Sequence, residues 1–175
     1  MKVKEEKKVK PNKIRLRLYR DADFEFLHGL LSDEATKKFF PFMYTIEKEQ
    51  TSLRLRTRLM DQHFGLDTRY VIEDMRKRKP VGEISGRLAK DDKTCMELAV
   101  LVHPDFRGQN FARDGILKFI EKMRELKPEV TKFRMEIAEN NIASQAVAKK
   151  LEFKLKSDKE YGSIKKGRMQ CWEDK

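Results

Sequence analysis

The sequence of 175 residues contains little cysteine and no long apolar run. Its two cysteines, Cys95 and Cys171, stand far apart and lack the spacing of metal ligands or of a disulfide framework. No stretch approaches the roughly 18 apolar residues that cross a bilayer. The opening MKVKEEKKVK has no apolar core segment of the kind that a secretory signal needs. These absences predict a cytoplasmic protein with reduced thiols, no metal and no membrane contact.

Acidic residues do not balance the basic ones, and the formal net charge is +11. Residues 1–20 hold nine basic side chains against two acidic ones, and a second basic run is Arg76–Lys79. Such runs are typical of a frayed tail and a solvated hairpin tip, and the alternative is a field that attracts polyanions. Aromatic residues do not interleave with them as they do in proteins that bind single strands. We expect residues 1–12 to form a flexible basic tail and residues 13–175 to form a single domain.

The apolar pattern switches between strand and helix periods along the chain. Strands are predicted at roughly 13–19, 69–73, 81–88, 94–102, 132–137, 153–158 and 168–172, and helices at roughly 21–31, 45–62, after 110 and at 142–151. This order predicts an α+β fold with α/β/α layers. The sheet is expected to be mixed but mostly antiparallel, with about seven strands and about four helices on its faces.

The most informative segment is ELAVLVHPDFRGQNFARDGILK, from Glu97 to Lys118. An apolar, β-branched run stops at His103, a turn with arginine and glycine follows, and a helical pattern then begins. A strand, a glycine-bearing turn and a helix start present backbone N–H groups to an anion, aided by the positive end of the helix dipole. The segment therefore predicts a pyrophosphate site.

The turn RGQNFA, from Arg107 to Ala112, resembles motif A of the GNAT N-acetyltransferase superfamily, Q/R-x-x-G-x-G/A. Asn110 stands where the family has its central glycine, which permits a positive φ and close approach to the phosphates. Asparagine is the residue that next most readily adopts the left-handed conformation, and it can also cap a helix. We therefore expect Asn110 to be a tolerable substitute.

A second segment, ENNIASQAVAKKLEF, resembles the downstream motif of the same superfamily, Asn-x-x-Ser followed by Lys-x-Gly-Phe. Asn141, Ser144, Lys150 and Phe153 match in spacing, and Glu152 replaces the glycine at the helix exit, where left-handed geometry is usual. The opening KIRLRLYRDADFEFLHGLLSD is similar to the branch of ribosomal-protein N-terminal acetyltransferases typified by RimJ and RimL. The resemblance covers about residues 13 to 173.

The resemblance implies a GNAT fold, acetyl-CoA as co-substrate and direct acetyl transfer to a primary amine, most simply the α-amine of a protein N-terminus. A small-molecule acceptor such as a polyamine or an antibiotic is the alternative, although the positive charge argues against a cationic substrate. A weakly catalytic acyl-CoA-binding module is the non-enzyme alternative. The basic tail is a candidate for weak ribosome or RNA association, and both a monomer and a homodimer stay open.

The resemblance also implies site residues. The strand Leu98–Val102 is expected to separate from its neighbour so that pantetheine adds as a pseudo-strand. The implied CoA-binding residues are Leu101, Val102, Arg107, Gly108, Gln109, Asn110, Phe111, Ala112, Arg113, Asn141, Ser144 and Lys150. Many members carry a tyrosine as general acid where this chain has Ala148, so the hydroxyl expected to meet the CoA sulfur is that of Ser144.

The candidate general base is Glu97, at the entrance of the strand along which the thioester must lie. Its structural alternative is a polar residue satisfied by neighbouring N–H groups or by an arginine. Glu83, on the preceding strand, is a weaker rival. The aromatic stretch from Phe39 to Tyr44 is expected to pack in the core, and the alternative is a wall of the substrate pocket.

Overall fold

A single sheet of seven strands runs through the computed structural model, which describes residues 11–65, 68–160 and 168–174. The strands are β1 (Ile14–Arg17), β2 (Arg69–Asp74), β3 (Lys79–Leu88), β4 (Cys95–Val102), β5 (Lys132–Ala138), β6 (Lys154–Glu160) and β7 (Arg168–Glu173). Their order in the sheet is β1-β2-β3-β4-β5-β7-β6, and the β4–β5 pair is parallel whereas the other neighbours are antiparallel. The expected mixed, mostly antiparallel sheet is confirmed.

The described part of the chain has five α-helices rather than the expected four. They are α1 (Phe24–Leu31), α2 (Glu34–Phe39), α3 (Lys48–His63), α4 (Phe111–Leu126) and α5 (Ile142–Lys150). The helix that the sequence did not predict is α2, because Asp33 reads as the end of α1. Its carboxylate instead accepts hydrogen bonds from the backbone N–H groups of Ala35 and Thr36, at 2.9 and 3.3 Å, and so caps a new helix.

Helices cover both faces of the sheet, which confirms the α/β/α layering. The core on one face joins α4, through Ile116 and Phe119, to the sheet, and Ala148 of α5 is buried in the same cluster. The core on the other face joins α1 and α3, through Leu27 and Leu55, to the opposite side of β2 and β4.

The parallel pair β4–β5 holds together over only three residues. Cys95, Met96 and Glu97 pair with Lys132, Phe133 and Arg134, and the register ends there. Both strands continue, β4 to Val102 and β5 to Ala138, so a wedge opens between them. This is the separation that the resemblance implies, and it leaves edges of both strands available to an extended ligand.

The chain enters the fold beside the start of α4. The backbone N–H and side-chain amide of Asn12 donate to the Asp114 carboxylate at 2.9 and 2.8 Å, and the amide also donates to the carbonyl of Gln109 at 2.7 Å. Residues 1–10 of the expected basic tail lie outside the described residues, so the tail and its ribosome or RNA association stay predictions. Within the described ranges, none of the helices has the length and apolar character needed to cross a bilayer.

Candidate active site

The turn before α4 contains two residues in the left-handed region, Gly108 with φ of 73° and Asn110 with φ of 64°. The expectation that Asn110 adopts this conformation is confirmed. Asn110 is also the N-cap of α4, but its side chain makes no hydrogen bond to the first turn of the helix, and its amide oxygen instead accepts from Lys150 at 3.4 Å. The N–H groups of a first helical turn have no partner within the helix, so this turn can bind a diphosphate.

A cavity of about 480 Å³ extends from this turn into the wedge between β4 and β5. The space beside Gly108 is open, since an added Cβ would meet no atom within 4 Å. Eleven of the twelve expected CoA-binding residues line the cavity: Leu101, Val102, Arg107, Gly108, Asn110, Phe111, Ala112, Arg113, Asn141, Ser144 and Lys150. The twelfth, Gln109, instead donates from its side-chain amide to the carbonyl of Asp105 at 3.2 Å.

The guanidinium of Arg107 is directed at Asp33, with 2.6 Å between Nη2 and Oδ2. Its Nε donates to the carbonyl of Val102 at 3.1 Å. These contacts tie the start of α2 to the turn before α4. The side chain of Arg107 therefore braces the turn, and its contact with a phosphate stays a prediction.

Ser144 lies where two cavities meet. It is in the first turn of α5, and its N–H donates to the side chain of the N-cap residue Asn141 at 3.2 Å. The 480 Å³ cavity and a larger one of about 1100 Å³ share six lining residues, namely Phe39, Phe40, Val100, Met135, Asn141 and Ser144. Ser144 carries the hydroxyl in this shared set, and Ala148, at the family's tyrosine position, is fully buried.

The larger cavity opens on the side of the sheet that α1 and α3 cover. One wall comes from the connection between α2 and α3, from Phe39 to Met43. Phe42 is 64% exposed, whereas Phe40 and Met43 also pack against the core. The aromatic stretch thus forms a pocket wall, and only part of it serves the core packing that was expected.

Glu97 lies at the vertex of the wedge and lines the larger cavity. Its carboxylate accepts from Arg87 Nε and from Arg134 Nη2, both at 2.7 Å. Burial alone would raise the pKa of Glu97, but the hydrogen bonds from Arg134 and Arg87 outweigh it and hold the pKa below the usual value. A carboxylate with a lowered pKa is a weaker base, so Glu97 is well placed for proton transfer but poorly tuned for it.

We expect Glu97→Gln to lower kcat about tenfold at saturating substrates, less than the roughly 10²–10⁴ typical of general-base catalysis, because the two guanidinium groups already weaken the base. The rise of kcat with pH should change in the same variant. Glu139→Gln is the matched control, since Glu139 lines the same cavity away from the vertex. Full activity of Glu97→Gln between about pH 6 and 9, with a lowered melting temperature, would assign the carboxylate to the ion pairs alone.

Glu83, the rival base, is 3% exposed and does not line either cavity. Its carboxylate accepts from Tyr19 Oη at 2.5 Å, from Arg58 Nε at 2.8 Å and from Arg69 Nη1 at 2.8 Å. Burial would raise the pKa of Glu83, but Arg58 and Arg69 lower it to about 2. Removal of this carboxylate would leave buried guanidinium groups without this partner, and Glu83 lies away from any amine in the cavities.

The ion pairs of Glu83 make the free energy of unfolding depend on pH in the acid range. Because the folded-state pKa, about 2, lies below the ordinary 4.5, the stabilisation is fully present above pH 4.5 and is lost as the pH falls towards 2. This difference between the two pKa values corresponds to about 3 kcal/mol of unfolding free energy. The free energy of unfolding, measured with urea, should fall less steeply from about pH 6 to pH 3 for Glu83→Gln than for wild type or for the exposed control Glu34→Gln. Parallel pH curves for all three proteins would contradict this assignment.

Several charged residues of the larger cavity were not expected from the sequence. Arg69 and Arg87 come from β2 and β3, and Glu136 and Glu139 come from β5 and the loop after it. Within the described ranges, no group of three or more His, Cys, Asp or Glu side chains could hold a metal ion.

Comparisons with known proteins agree with this geometry. A sequence profile described as acetyltransferase (GNAT) domain matches residues 13–154. No curated protein sequence matches the chain. A GNAT-family acetyltransferase structure from Bacillus anthracis superposes with a TM-score of 0.78 at 13% identity, covering 95% of this chain and 96% of that one.

Two further structures are of enzymes named for their acceptors. RimL, a ribosomal L7/L12 alpha-N-protein acetyltransferase in complex with coenzyme A, superposes with a TM-score of 0.76 at 16% identity, covering 92% of this chain and 93% of that one. A spermidine N-acetyltransferase chimera of SpeG from Vibrio cholerae and hSSAT superposes with a TM-score of 0.69 at 14% identity, covering 92% and 94%. At these identities the likeness shows the fold.

Proposed function

The chain belongs to the GNAT acetyltransferase family, and on that premise we propose that it transfers the acetyl group of acetyl-CoA directly to the α-amine of a protein N-terminus. The chain is thus an acetyl-CoA-dependent acyltransferase, and the protein N-terminus as its acceptor is our proposal. The observation that carries the proposal is the meeting of the two cavities at Ser144. One cavity suits an extended thioester, and the other leaves room for an amine on the opposite side of the sheet.

The residues of the wedge supply what direct transfer requires. Backbone N–H groups on the open edge of β4, from Leu98 to Val102, can polarise the thioester carbonyl, and the turn at Gly108 holds the diphosphate end. The hydroxyl of Ser144 donates a hydrogen bond to the departing thiolate, and Glu97 receives the proton of the amine directly or through a water. The six residues that line both cavities place the amine beside the thioester, and such positioning is itself a large part of catalysis.

The charge of the larger cavity favours a peptide over a polyamine. Its basic lining residues are Lys37, Lys38, Arg69, Arg87 and Lys127. Its acidic lining residues are Glu97, Glu136 and Glu139, and the first of these is already paired with two arginines. A polycation would meet a cavity with excess positive charge, whereas an N-terminus brings a single amine. RimL, with the same fold, is named for action on a protein N-terminus, and the spermidine enzyme is the contrasting neighbour.

An acceptor comparison tests the proposal. Purified protein and acetyl-CoA are incubated with a peptide that has a free N-terminus, the same peptide with a blocked N-terminus, spermidine and an aminoglycoside, and thiol release is followed. We expect the free peptide to be acetylated at its α-amine, the blocked peptide to be inert, and the polycations to react more slowly. Turnover of spermidine without turnover of any peptide would overturn the assignment of the acceptor.

We also propose a cytoplasmic location. Cys95 and Cys171 are both buried and not joined in a disulfide, which fits the reducing compartment expected from the sequence.

A further inference from the structure

Helix α2 lies between the two cavities. Ala35 and Thr36, in its first turn, line the 480 Å³ cavity, and Phe39, at its end, lines both cavities. The chain continues from Phe40 to Met43 as a wall of the larger cavity, the aromatic wall. A ligand in either cavity therefore touches α2 or the wall that follows it, so the position of one short helix affects the binding of both substrates.

Packing against the core holds only a small part of α2. The helix has six residues, and Thr36 is the one that is buried. Thr36 Oγ1 donates to the carbonyl of Leu30 at 2.8 Å, whereas Lys37 and Lys38 are exposed. Helices as short as this are marginal in water unless tertiary contacts fix them. The start of α2 therefore depends on an anchor outside the helix.

Asp33 provides that anchor. Its Oδ2 accepts from the backbone N–H groups of Ala35 and Thr36, which caps the helix. Its two carboxylate oxygens also accept from Nη1 and Nη2 of Arg107, at 3.3 and 2.6 Å. Burial would raise the pKa of Asp33, but the hydrogen bond and the charge of Arg107 hold it below the usual value, so the carboxylate is charged. One side chain thus caps α2 and fastens it to the turn before α4.

Arg107 can serve Asp33 and CoA at the same time. Its Nε donates to the carbonyl of Val102, so three of its five N–H groups have partners among the described residues. The side chain is 41% exposed, and Arg107 lines the 480 Å³ cavity beside Gly108. Its other N–H groups can donate to a diphosphate oxygen while Asp33 stays bound. The guanidinium then joins a bound CoA to the start of α2.

We infer that Asp33, which lines neither cavity, is a positioning residue for the acceptor and makes the aromatic wall depend, through Arg107 and α2, on the presence of CoA. This inference rests on the proposed acetyl transfer between the two cavities. CoA and the acceptor should therefore bind cooperatively, each raising the affinity for the other by the same factor. A factor of about five is expected, at the low end of the usual range, because the pair of Asp33 and Arg107 is partly exposed.

The first measurement needs only CoA. The N–H groups of Met43 and Tyr44 donate to the carbonyl of Phe40, at 2.8 and 3.2 Å, and neither residue lines the 480 Å³ cavity. A CoA in that cavity can therefore slow the hydrogen exchange of these two N–H groups only through the protein. We expect saturating CoA to slow it about fivefold in wild type and hardly at all in Asp33→Asn. Unchanged exchange in wild type would overturn the inference.

The second measurement titrates the acceptor. The amine that is acetylated in the acceptor comparison, peptide or spermidine, is titrated with and without CoA, which carries no acetyl group and forms no product. We expect CoA to lower its Kd about fivefold in wild type and to leave it nearly unchanged in Asp33→Asn. Asparagine keeps an oxygen for the N–H groups of Ala35 and Thr36 but loses the charge that pairs with Arg107. The variant therefore keeps the cap of α2 and loses the ion pair.

Glu34→Gln is the matched control. Glu34 follows Asp33 at the same end of α2, and its carboxylate pairs with Lys37, at 3.7 Å. The variant loses the same charge, and the effect of CoA on its Kd for the acceptor should stay as in wild type. In steady state, Asp33→Asn should raise KM for the acceptor about fivefold and keep kcat within about twofold, because the groups that react are unchanged.

The two proposals fail in different ways. An effect of CoA on the acceptor Kd that is the same in wild type and Asp33→Asn would overturn the role of Asp33 and leave acetyl transfer standing. A lowered melting temperature of Asp33→Asn with that effect intact would assign Asp33 to the cap of α2 alone. Turnover of spermidine and of no peptide would overturn the protein N-terminus as acceptor, and the titration with spermidine would then support or overturn the role of Asp33.

Discussion

Gly108→Pro is expected to weaken binding of CoA at least about 100-fold. Gly108 has φ of 73°, whereas the proline ring fixes φ near −65°, so the variant must rebuild the turn that precedes α4. Proline also removes one N–H group from the turn. The diphosphate is expected to accept charge-assisted hydrogen bonds from this backbone. Loss of about two of them, at roughly 1.5 kcal/mol each, corresponds to the 100-fold loss of CoA affinity. Isothermal titration with CoA measures the effect.

The chain supplies a matched control for this substitution. Gly65 also has a left-handed backbone, with φ of 67°, and it too has open space where a Cβ would lie. It follows α3 and does not line either cavity. Gly65→Pro should therefore cost similar stability and leave CoA affinity unchanged. Equal affinity of the two variants for CoA would show that the diphosphate does not bind at the turn that contains Gly108.

Ser144→Ala is expected to lower kcat about 10²-fold and to leave the affinity for acetyl-CoA nearly unchanged. The hydroxyl donates to a charge that develops only as the thiolate leaves, and removal of one preorganised donor of this kind typically costs roughly 10²–10³ in rate. The buried Ala148 carries no hydroxyl that could take its place. Single-turnover rates at saturating acetyl-CoA, beside the binding constant, separate the two effects.

Ala143→Ser provides the control for the position of the hydroxyl. Ala143 precedes Ser144 in the first turn of α5 and lines the 480 Å³ cavity without lining the larger one. A hydroxyl added there should not rescue Ser144→Ala in the double variant. A rate for Ser144→Ala equal to that of wild type would leave Ser144 with the role of a residue at the start of the helix.

The parts of the fold that local sequence determines were predictable. The seven strands follow from apolar alternation, and the phosphate turn follows from a strand, a glycine and a helix start in succession. Two replacements of family glycines were also interpretable, because Asn110 and Glu152 both adopt a positive φ, of 64° and 60°. Local rules work here since the backbone at these positions depends on neighbours in the chain.

The parts that depend on distant residues were not predictable. Helix α2 was missed because Asp33 carries the same signal at the end of one helix and at the start of the next. The pairing of Glu83 with Arg58 and of Glu97 with Arg134 joins residues 25 and 37 positions apart. The sequence does not show which arginines lie beside these glutamates. The sheet register and the packing of α3 bring the guanidinium groups to each carboxylate, and they lower the pKa of both.

A crystal structure of the complex with CoA would show directly whether the turn at Gly108 binds the diphosphate and whether Ser144 meets the sulfur. We expect diphosphate oxygens about 3 Å from the backbone nitrogens between Gly108 and Arg113, pantetheine along the open edge of β4, and the sulfur within hydrogen-bond reach of Ser144 Oγ. A CoA whose diphosphate lies away from this turn, or whose sulfur lies away from Ser144 and outside the junction of the two cavities, would contradict it.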